Sequence, residues 1–243
     1  MTRASHDWWP ENSFFAELPD AERAALLNVG DSCRFEDEQT LLMQGDRGDS
    51  VYLLTSGLVK VVVAAASGAA TTLAIRSRGD LVGEFATLDD KPRTATACAV
   101  GQVTALKING SAFLDIVSRS PAAQATVTRY LLSKMRSATE RRAADRVWDA
   151  KERVAQVLYD LGERHVTRSP DGTVRLPITQ GELGDLAGVA VSTVERVLKD
   201  LRKQGVVATR YREITIRDMA YLDSIRFPPE EPEKPEKPLP EGI

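Results

Sequence analysis

The sequence is poor in the residues that metal and redox chemistry require. Its 243 residues include only two cysteines and two histidines. Cys33 and Cys98 stand far apart with no CxxC or clustered spacing, and His6 and His165 are isolated from them. This pattern predicts no metal site and no iron–sulfur cluster. We expect both cysteines to be small hydrophobic residues in a reducing cytoplasm.

Long apolar runs and catalytic motifs are missing as well. No apolar run approaches the roughly 20 residues that span a bilayer, and the N-terminus around Trp8, Trp9 and Pro10 has no signal-peptide pattern. The chain contains no Ser/His/Asp arrangement, P-loop or GxGxxG. We therefore expect a cytoplasmic protein without membrane contact, we do not expect an enzyme, and we assign no catalytic residue.

An excess of positive charge is absent too, since the formal net charge is −3. The charges are, however, distributed unevenly along the chain. Residues 227–243 hold five acidic residues and two lysines, whereas residues 190–217 hold seven basic and three acidic residues, a local net charge of +4. A basic segment of this kind is what nucleic-acid binding requires.

The segment from about Ser32 to Ile108 has the pattern of short strands divided by glycines. Such regular spacing favours a sandwich or rolled β barrel over a βαβ fold. The predicted strands are Thr40–Met43, Val51–Thr55, Leu58–Ala64, Thr71–Ile75, Thr94–Val100 and Val103–Ile108.

Helix formers dominate from Ser111 to about Trp148. Here Val127, Leu131, Met135 and Ala138 recur at helical steps, an apolar seam suited to pairing with a second helix. The same seam could instead pack only on its own β domain. After about Tyr221 a proline- and glutamate-rich tail is expected to be disordered.

Residues 179 to 217 have the pattern of a winged helix-turn-helix. Thr179 to Glu182 form a predicted capping box that opens a first helix, and Gly188 is suited to the turn after it. A second helix follows to about Gln204, and a strand, a basic tip and another strand form a predicted wing.

One face of the second helix is polar and basic. It carries residues spaced by four, three and four, namely Ser192, Arg196, Lys199 and Lys203. This helix can lie in the major groove, where Arg196 is suited to bidentate contact with guanine. A basic face can also be only a solvated surface; the capping box, glycine turn and basic wing favour DNA. The predicted DNA-contacting residues are Thr179, Gln180, Val191, Ser192, Thr193, Arg196, Lys199, Lys203, Arg210 and Arg212.

Three stretches resemble the Crp/Fnr superfamily of bacterial transcription regulators, a resemblance that covers roughly residues 14 to 222. Gly45 to Val61 is similar to a glycine-framed hairpin of the cyclic-nucleotide-binding fold. Gly83-Glu84-Phe85-Ala86 followed by Arg93-Thr94-Ala95-Thr96-Ala97 is similar to its phosphate-binding cassette. Ile178 to Gly184 and Val197 to Leu201 are similar to the family's helix-turn-helix.

The resemblance implies an α+β chain with an N-terminal β jelly roll, a long dimerisation helix and a C-terminal winged helix-turn-helix. The expected segments are a leader at 1–13, the β-roll domain at 14–118, the dimerisation helix and hinge at 119–148, the reader domain at 149–222 and the tail at 223–243. The hinge is placed at Arg146–Asp149. The implied partners are a second copy of the chain, a palindromic double-stranded DNA operator and RNA polymerase.

The resemblance also implies an allosteric cyclic nucleotide, cAMP or cGMP. An arginine fork and a hydroxyl side by side, Arg93 and Thr94, suit a phosphodiester, although Glu84 and Arg93 could be only a structural ion pair. The implied ligand-binding residues are Gly83, Glu84, Phe85, Arg93, Thr94 and Thr139. The alternative is a regulator that needs no nucleotide, whose β domain is a scaffold or senses another small molecule.

Two departures from the family pattern affect specificity. Relatives that respond to nucleotides present two adjacent hydroxyl residues from the dimer helix, where this chain has Ala138 and Thr139. The recognition helix begins Ala190-Val191-Ser192 instead of with a serine cap and charged base-reading residues. We therefore expect a different operator, and a cap shifted to Ser192 with Glu195 completing a second capping box.

Overall fold

The protein's structure, a computed structural model, describes residues 9–10, 13–64, 70–164 and 171–226. Most of the predicted leader and residues 227–243 of the predicted tail lie outside these ranges. The first elements are two helices and five strands, in the order α1 (Phe14–Glu17), α2 (Asp20–Val29), β1 (Asp31–Phe35), β2 (Thr40–Leu42), β3 (Ser50–Ala64), β4 (Ala70–Arg76) and β5 (Leu81–Val82). The remaining elements are α3 (Glu84–Asp89), β6 (Thr96–Asn109), α4 (Gly110–Ser118), α5 (Pro121–Val147), α6 (Ala150–Arg164), β7 (Val174–Leu176), α7 (Gln180–Ala187), α8 (Val191–Lys203), β8 (Val207–Arg210), β9 (Glu213–Ile216) and α9 (Met219–Arg226).

The N-terminal domain is one antiparallel sheet in the order β1-β6-β3-β4, with β2 paired to β6 and β5 paired to β3. Strands β3 and β6 are the long central pair, and each was predicted as two short strands. The pairing between them shifts register at Leu54/Ser56 and Ser56/Leu58, beside Gly57 with φ +80°. Gly57 therefore marks a bulge within a continuous strand, where the sequence pattern predicted an end.

Glycine is required at position 57 for a second reason. A Cβ built on Gly57 would lie 2.3 Å from the carbonyl oxygen of Gln102 on the neighbouring strand. The two long strands therefore approach each other closely at the bulge. This close approach, and the pairing of β1 with β6, are not visible in the local sequence pattern.

The helical region is divided twice, between Ser118 and Pro121 and between Val147 and Ala150. Pro121 is the first residue of α5, a position at which proline is well tolerated. A helix of 27 residues is about 40 Å long. Helix α5 ends at Val147 and α6 begins at Ala150, so the break falls within the predicted hinge. Asp149 caps α6, since its Oδ1 accepts hydrogen bonds from the backbone N–H groups of Lys151 (2.7 Å) and Glu152 (2.9 Å).

The C-terminal domain is a winged helix with a three-stranded sheet in the order β7-β9-β8. Its core contains residues of α6, α7, α8 and the sheet, including Leu158, Leu183 and Leu198. Helix α9 extends to Arg226, so residues 223–226, which were predicted to begin a disordered tail, are helical. None of the helices in the described ranges is long and apolar enough to cross a membrane.

Candidate ligand pocket and DNA-reading surface

The predicted phosphate-binding arginine is buried at the start of helix α3. The side chain of Arg93 donates from Nη1 to the carbonyl of Gly83 and from Nη2 to the carbonyl of Ser50, both at 2.5 Å. Arg93 is only 4% exposed, and its Nε has no hydrogen-bond partner among the described residues. Gly83 has φ +92°, and a Cβ there would lie 2.7 Å from Nη1 of Arg93. Position 83 therefore requires glycine both for its conformation and for its contact with the arginine.

Glu84 is also buried, and it has a partner that the sequence did not reveal. The ammonium group of Lys134, on helix α5, lies 2.5 Å from Oε1 of Glu84 and donates to the carbonyl of Leu81 at 3.1 Å. Burial lowers the pKa of Lys134 to about 8, against the opposing effect of Glu84. The family resemblance implies a ligand role for Thr139, five residues after Lys134. No charge pattern in the sequence links Lys134 to Glu84.

Tyr130, one turn before Lys134, joins the long helix to the same residue of β5, Leu81. Its hydroxyl accepts from the backbone N–H of Leu81 at 3.0 Å and lies 3.2 Å from the carbonyl of that residue. Burial raises the pKa of Tyr130 well above its ordinary value. The ammonium of Lys134 lies 4.3 Å from the centroid of the Tyr130 ring. Helix α5 is therefore fixed to β5 and to the first residue of α3 by two polar side chains.

The other predicted ligand residues are more exposed. Phe85 is 41% exposed, and its ring lies 5.8 Å from the Lys134 ammonium. Thr94 is exposed, as is Thr139, whose hydroxyl donates to the carbonyl of Met135 on its own helix at 3.0 Å. The structure therefore brings Gly83, Glu84, Phe85 and Arg93 together, whereas the Thr139 hydroxyl is bonded within α5.

A cavity of about 390 Å³ lies on the β2 side of Arg93. This volume is within the range of about 300–1,000 Å³ usual for small-molecule sites. Besides Arg93 it is lined by the polar residues Thr40, Asp46, Arg47, Asp49, Ser50, Tyr52 and Lys107 and by the apolar residues Leu41, Leu42 and Met43. Three cationic side chains against two carboxylates favour an anion.

The capping box at the start of helix α7 is confirmed. The hydroxyl of Thr179 accepts from the N–H of Glu182 at 3.1 Å, and Oε2 of Glu182 accepts from the N–H of Thr179 at 2.8 Å. Gly188 ends the helix with φ +63°, as the turn requires. Gln180 is half-buried, and its Oε1 has no hydrogen-bond partner among the described residues.

The recognition helix α8 separates into the two predicted faces. Val194, Val197, Leu198 and Leu201 are buried. Its polar and basic stripe is exposed, consisting of Ser192, Arg196, Lys199 and Lys203. Val191 is also exposed and Thr193 is half-buried.

The predicted shifted cap is wrong. Helix α8 begins at Val191 with Ala190 as N-cap, in extended conformation and without a side-chain hydrogen bond. Ser192 therefore lies inside the helix, where its hydroxyl is in the wrong position to cap. Because the alanine has no polar side-chain atom, the start of the recognition helix lacks the usual cap.

The two wing arginines differ in their surroundings. Arg210 and Tyr211 are exposed, the latter at 93%. Arg212 has φ +52° and donates from Nη2 to Oε1 of Glu38 in the β-roll domain at 2.5 Å. That hydrogen bond raises the pKa of Arg212. A contact between Arg212 and phosphate therefore stays a prediction, and it would compete with Glu38.

Comparisons with known proteins match both domains. Residues 32–120 match the family model of the cyclic nucleotide-binding domain, and residues 152–225 match that of the Crp-like helix-turn-helix domain. The chain is 32% identical over 187 residues to the cyclic AMP receptor protein of Thermus thermophilus, an alignment that covers 77% of this chain and 84% of that protein. It is 29% identical over 198 residues to the CRP-like cAMP-activated global transcriptional regulator of Mycobacterium tuberculosis, covering 80% and 88%.

Solved structures share the fold. A CRP-family transcriptional regulator of Thermus thermophilus is 27% identical, with a TM-score of 0.64 over 80% of this chain and 96% of that chain. FixK2 of Bradyrhizobium japonicum is 21% identical, with a TM-score of 0.70 over 81% and 97%. The order of a β domain, a long helix and a winged helix is common to this chain and these structures.

Proposed function

Because the chain belongs to the Crp/Fnr family of transcription regulators, we propose that it reads a palindromic operator as a homodimer under the control of a cyclic nucleotide. The reader domain binds DNA, and the β domain is the cyclic nucleotide-binding domain of the family. The regulator would act on DNA in the cytoplasm, with RNA polymerase as a further partner.

The observation that carries ligand control is the buried guanidinium of Arg93. Its two Nη atoms bond carbonyl oxygens, Nε has no partner within the part of the chain that the structure describes, and the side chain lines the cavity. A buried donor without a partner is costly. A phosphodiester bound in the cavity would supply a charge that neutralises the arginine, and it would supply the missing acceptor once the guanidinium turned toward the cavity.

Recognition of a nucleotide by Glu84 depends on Lys134. In this proposal the carboxylate of Glu84 accepts a hydrogen bond from a ribose hydroxyl, and that carboxylate is already bonded to the Lys134 ammonium. A nucleotide must share this carboxylate with the lysine or displace it. Since Lys134 lies on α5, either event would change how the long helix is held. Base selectivity between cAMP and cGMP is left open by Ala138 and Thr139.

The same contacts support the alternative, a regulator that needs no nucleotide. Glu84 is already paired with Lys134, and both Nη atoms of Arg93 bond carbonyl oxygens of the chain, so the two side chains are held in place without a ligand. In this alternative the β domain is a scaffold or senses another small molecule, and DNA affinity would not change with added nucleotide.

Dimerisation is proposed through the exposed apolar side of α5. Val127 of the predicted seam is buried in its own domain and Leu131 is packed against the same core. Farther along, Met135 is 61% exposed and Leu132 is 46% exposed. Large apolar side chains exposed close together on a helix indicate a contact surface, so the proposed interface is the side of α5 that carries Leu132, outside the predicted seam, and Met135, within it.

Calorimetric titration with cAMP and with cGMP tests ligand control. Arg93→Lys keeps a positive charge but loses the planar fork. We expect it to weaken binding of whichever nucleotide binds the wild type by at least about tenfold, since a hydrogen bond to a charged group contributes about 1.5–3 kcal/mol. Arg34→Lys, at an exposed arginine of the same sheet, is the matched control. Equal affinity of Arg93→Lys and wild type would refute the phosphate assignment, and no binding to the wild type would favour the alternative.

A further inference from the structure

The winged helix packs directly on the β-roll domain of its own chain. Three apolar residues of the sheet, Leu58, Ile75 and Val100, belong to the same buried cluster as the core of the reader domain. Each is less than 10% exposed. The two domains are therefore joined by an apolar contact, which we call the domain contact.

A lysine of the sheet lies at the edge of the domain contact. Lys60, on β3, places its ammonium 2.7 Å from Oε2 of Glu38 and 3.2 Å from Oε1 of Glu182. Glu38 belongs to the β1–β2 turn, whereas Glu182 belongs to the first helix of the reader. The side chains of Lys60 and Glu182 are 15% and 10% exposed, so solvent screens their attraction less than that of a surface pair.

Glu182 divides its two oxygens between the domains. Its Oε2 completes the capping box by accepting from the N–H of Thr179, while Oε1 accepts from Lys60. The group that fixes the first turn of α7 is therefore the group that binds the sensor sheet. Burial lowers the pKa of Lys60, but hydrogen bonds to Glu38 and Glu182 outweigh it and the net pKa is raised.

Two further polar contacts hold the reader in the same position. Oδ2 of Asp185, on α7, accepts from the backbone N–H of Thr72 on β4 at 2.9 Å. At the wing, Arg212 binds Glu38, the same carboxylate that binds Lys60. The contacts thus restrain rotation of the reader at two separate points, the first helix and the wing.

This arrangement leaves the recognition stripe free. Arg196, Lys199 and Lys203 are exposed, and the domain contact is made through α7 and the wing. A reader held in this way can still present α8 to a major groove. Two recognition helices in a dimer must lie about 34 Å apart, so a small rotation of each reader on its sheet would spoil the match.

We propose that Lys60 is a positioning residue for DNA reading, acting through Glu182 to fix the winged helix on the sensor sheet in its DNA-competent orientation. The proposal rests on the DNA binding by a dimer proposed above. The carboxylates that Lys60 bonds, Glu38 and Glu182, are not among the predicted DNA-contacting residues. Its loss should therefore reduce affinity for a specific operator more than affinity for DNA of any sequence.

The test uses the full-length protein and a duplex that the wild type selects from a random library, with and without saturating cAMP or cGMP. We expect Lys60→Met to weaken binding to the selected duplex by about tenfold. A change of this size lies within the interaction energies found between residues that contact each other in one protein. Binding to a random-sequence duplex should change by less than about threefold, since phosphate attraction dominates it. Lys60→Arg, which can donate to both carboxylates, should restore most of the selected-site affinity.

A double-mutant cycle separates positioning from folding. Glu182→Gln keeps a side-chain acceptor for the capping box but removes the charge that Lys60 binds, so Lys60→Met should cost much less in that background. Arg119→Met removes an exposed charge outside the domain contact and is the control. Equal loss on both duplexes, full additivity in the cycle, or no loss at all would overturn the role of Lys60. A wild type that enriches no duplex would instead contradict DNA reading itself, and the role of Lys60 with it.

Discussion

At the scale of single residues, a buried charge of the β domain has two possible arrangements of partners. Lys134 can bond Glu84 and the carbonyl of Leu81, or yield Glu84 to a ligand hydroxyl. A buried ion pair of this kind adds little net stability, because desolvation offsets the attraction. Breaking the pair would leave a buried charge without its partner, which is costly, so a ligand hydroxyl can take Glu84 only while Lys134 keeps another acceptor such as the carbonyl of Leu81.

The depressed pKa of Lys134 makes stability depend on pH. In the unfolded chain this lysine titrates near 10.5, and in the fold near 8. Below about pH 8 both states carry the charge and the cost of burying it is fully present. Between about 8 and 10.5 the folded state loses the proton first, so the free energy of unfolding should rise with pH, by up to about 3 kcal/mol.

Urea denaturation at several pH values between 7 and 10 checks this expectation. The wild type should gain stability relative to Lys134→Met as the pH rises through this window. Lys91→Met, at a lysine whose side chain is 74% exposed, is the control and should follow the wild type. A constant difference between wild type and Lys134→Met would show that the lysine keeps its ordinary pKa in the fold.

How far the sequence predicts the site depends on the residue. Gly83, Glu84 and Arg93 are recognisable because they lie in one short cassette, and the structure brings them together. Lys134 and Lys60 were not predicted as partners of Glu84 and Glu182. Their partners lie 50 and 122 positions away, and only the packing of helix or domain on sheet defines these pairs.

At the scale of elements, the local rules hold best where one residue satisfies a backbone group. The capping box of α7 and the glycine after it follow directly from the sequence. The two long strands do not, because a glycine can mark a strand end or a bulge, and Gly57 is a bulge. Neighbouring strands, which are distant in sequence, decide between the two.

The uncapped recognition helix gives a prediction at this scale. Ala190 has the extended conformation of an N-cap, with φ −63° and ψ 148°, but offers no acceptor to the first turn. Ala190→Ser should therefore raise the free energy of unfolding by about 1 kcal/mol. Thermal and urea denaturation measure the effect, and Ser192→Ala, inside the helix, is the matched control and should change stability little. No gain from Ala190→Ser would mean that the exposed N–H groups are already satisfied by water.

At the scale of the whole molecule, the long helix and the domain contact act on the same quantity, the relative position of the two reader domains. Helix α5 is fixed to β5 by Tyr130 and Lys134, and the reader is fixed to the sheet by Lys60. A ligand can shift the equilibrium between arrangements only by its different affinity for them, typically about 1–3 kcal/mol. A few polar contacts such as these are enough to supply a difference in free energy of that size between the arrangements.

Dimerisation connects these contacts to an operator with two half-sites, because two-fold symmetry of the protein matches a palindrome. Met135→Glu would place a charge in the proposed interface, where a second copy brings the same charge close. We expect this variant to be monomeric in sedimentation or light scattering and to lose affinity for a palindromic duplex, while its circular dichroism stays that of the wild type.

The matched control is Leu27→Glu, which also places a charge at an exposed apolar residue, 46% exposed, but on α2. It should remain dimeric. If Met135→Glu stays dimeric as well, the interface lies elsewhere on the chain. If it becomes monomeric yet binds the palindrome with unchanged affinity, two-fold pairing is not what aligns the recognition helices. Only the combination of a monomeric Met135→Glu, a dimeric Leu27→Glu and a parallel loss of operator affinity joins the exposed strip of α5 to DNA reading.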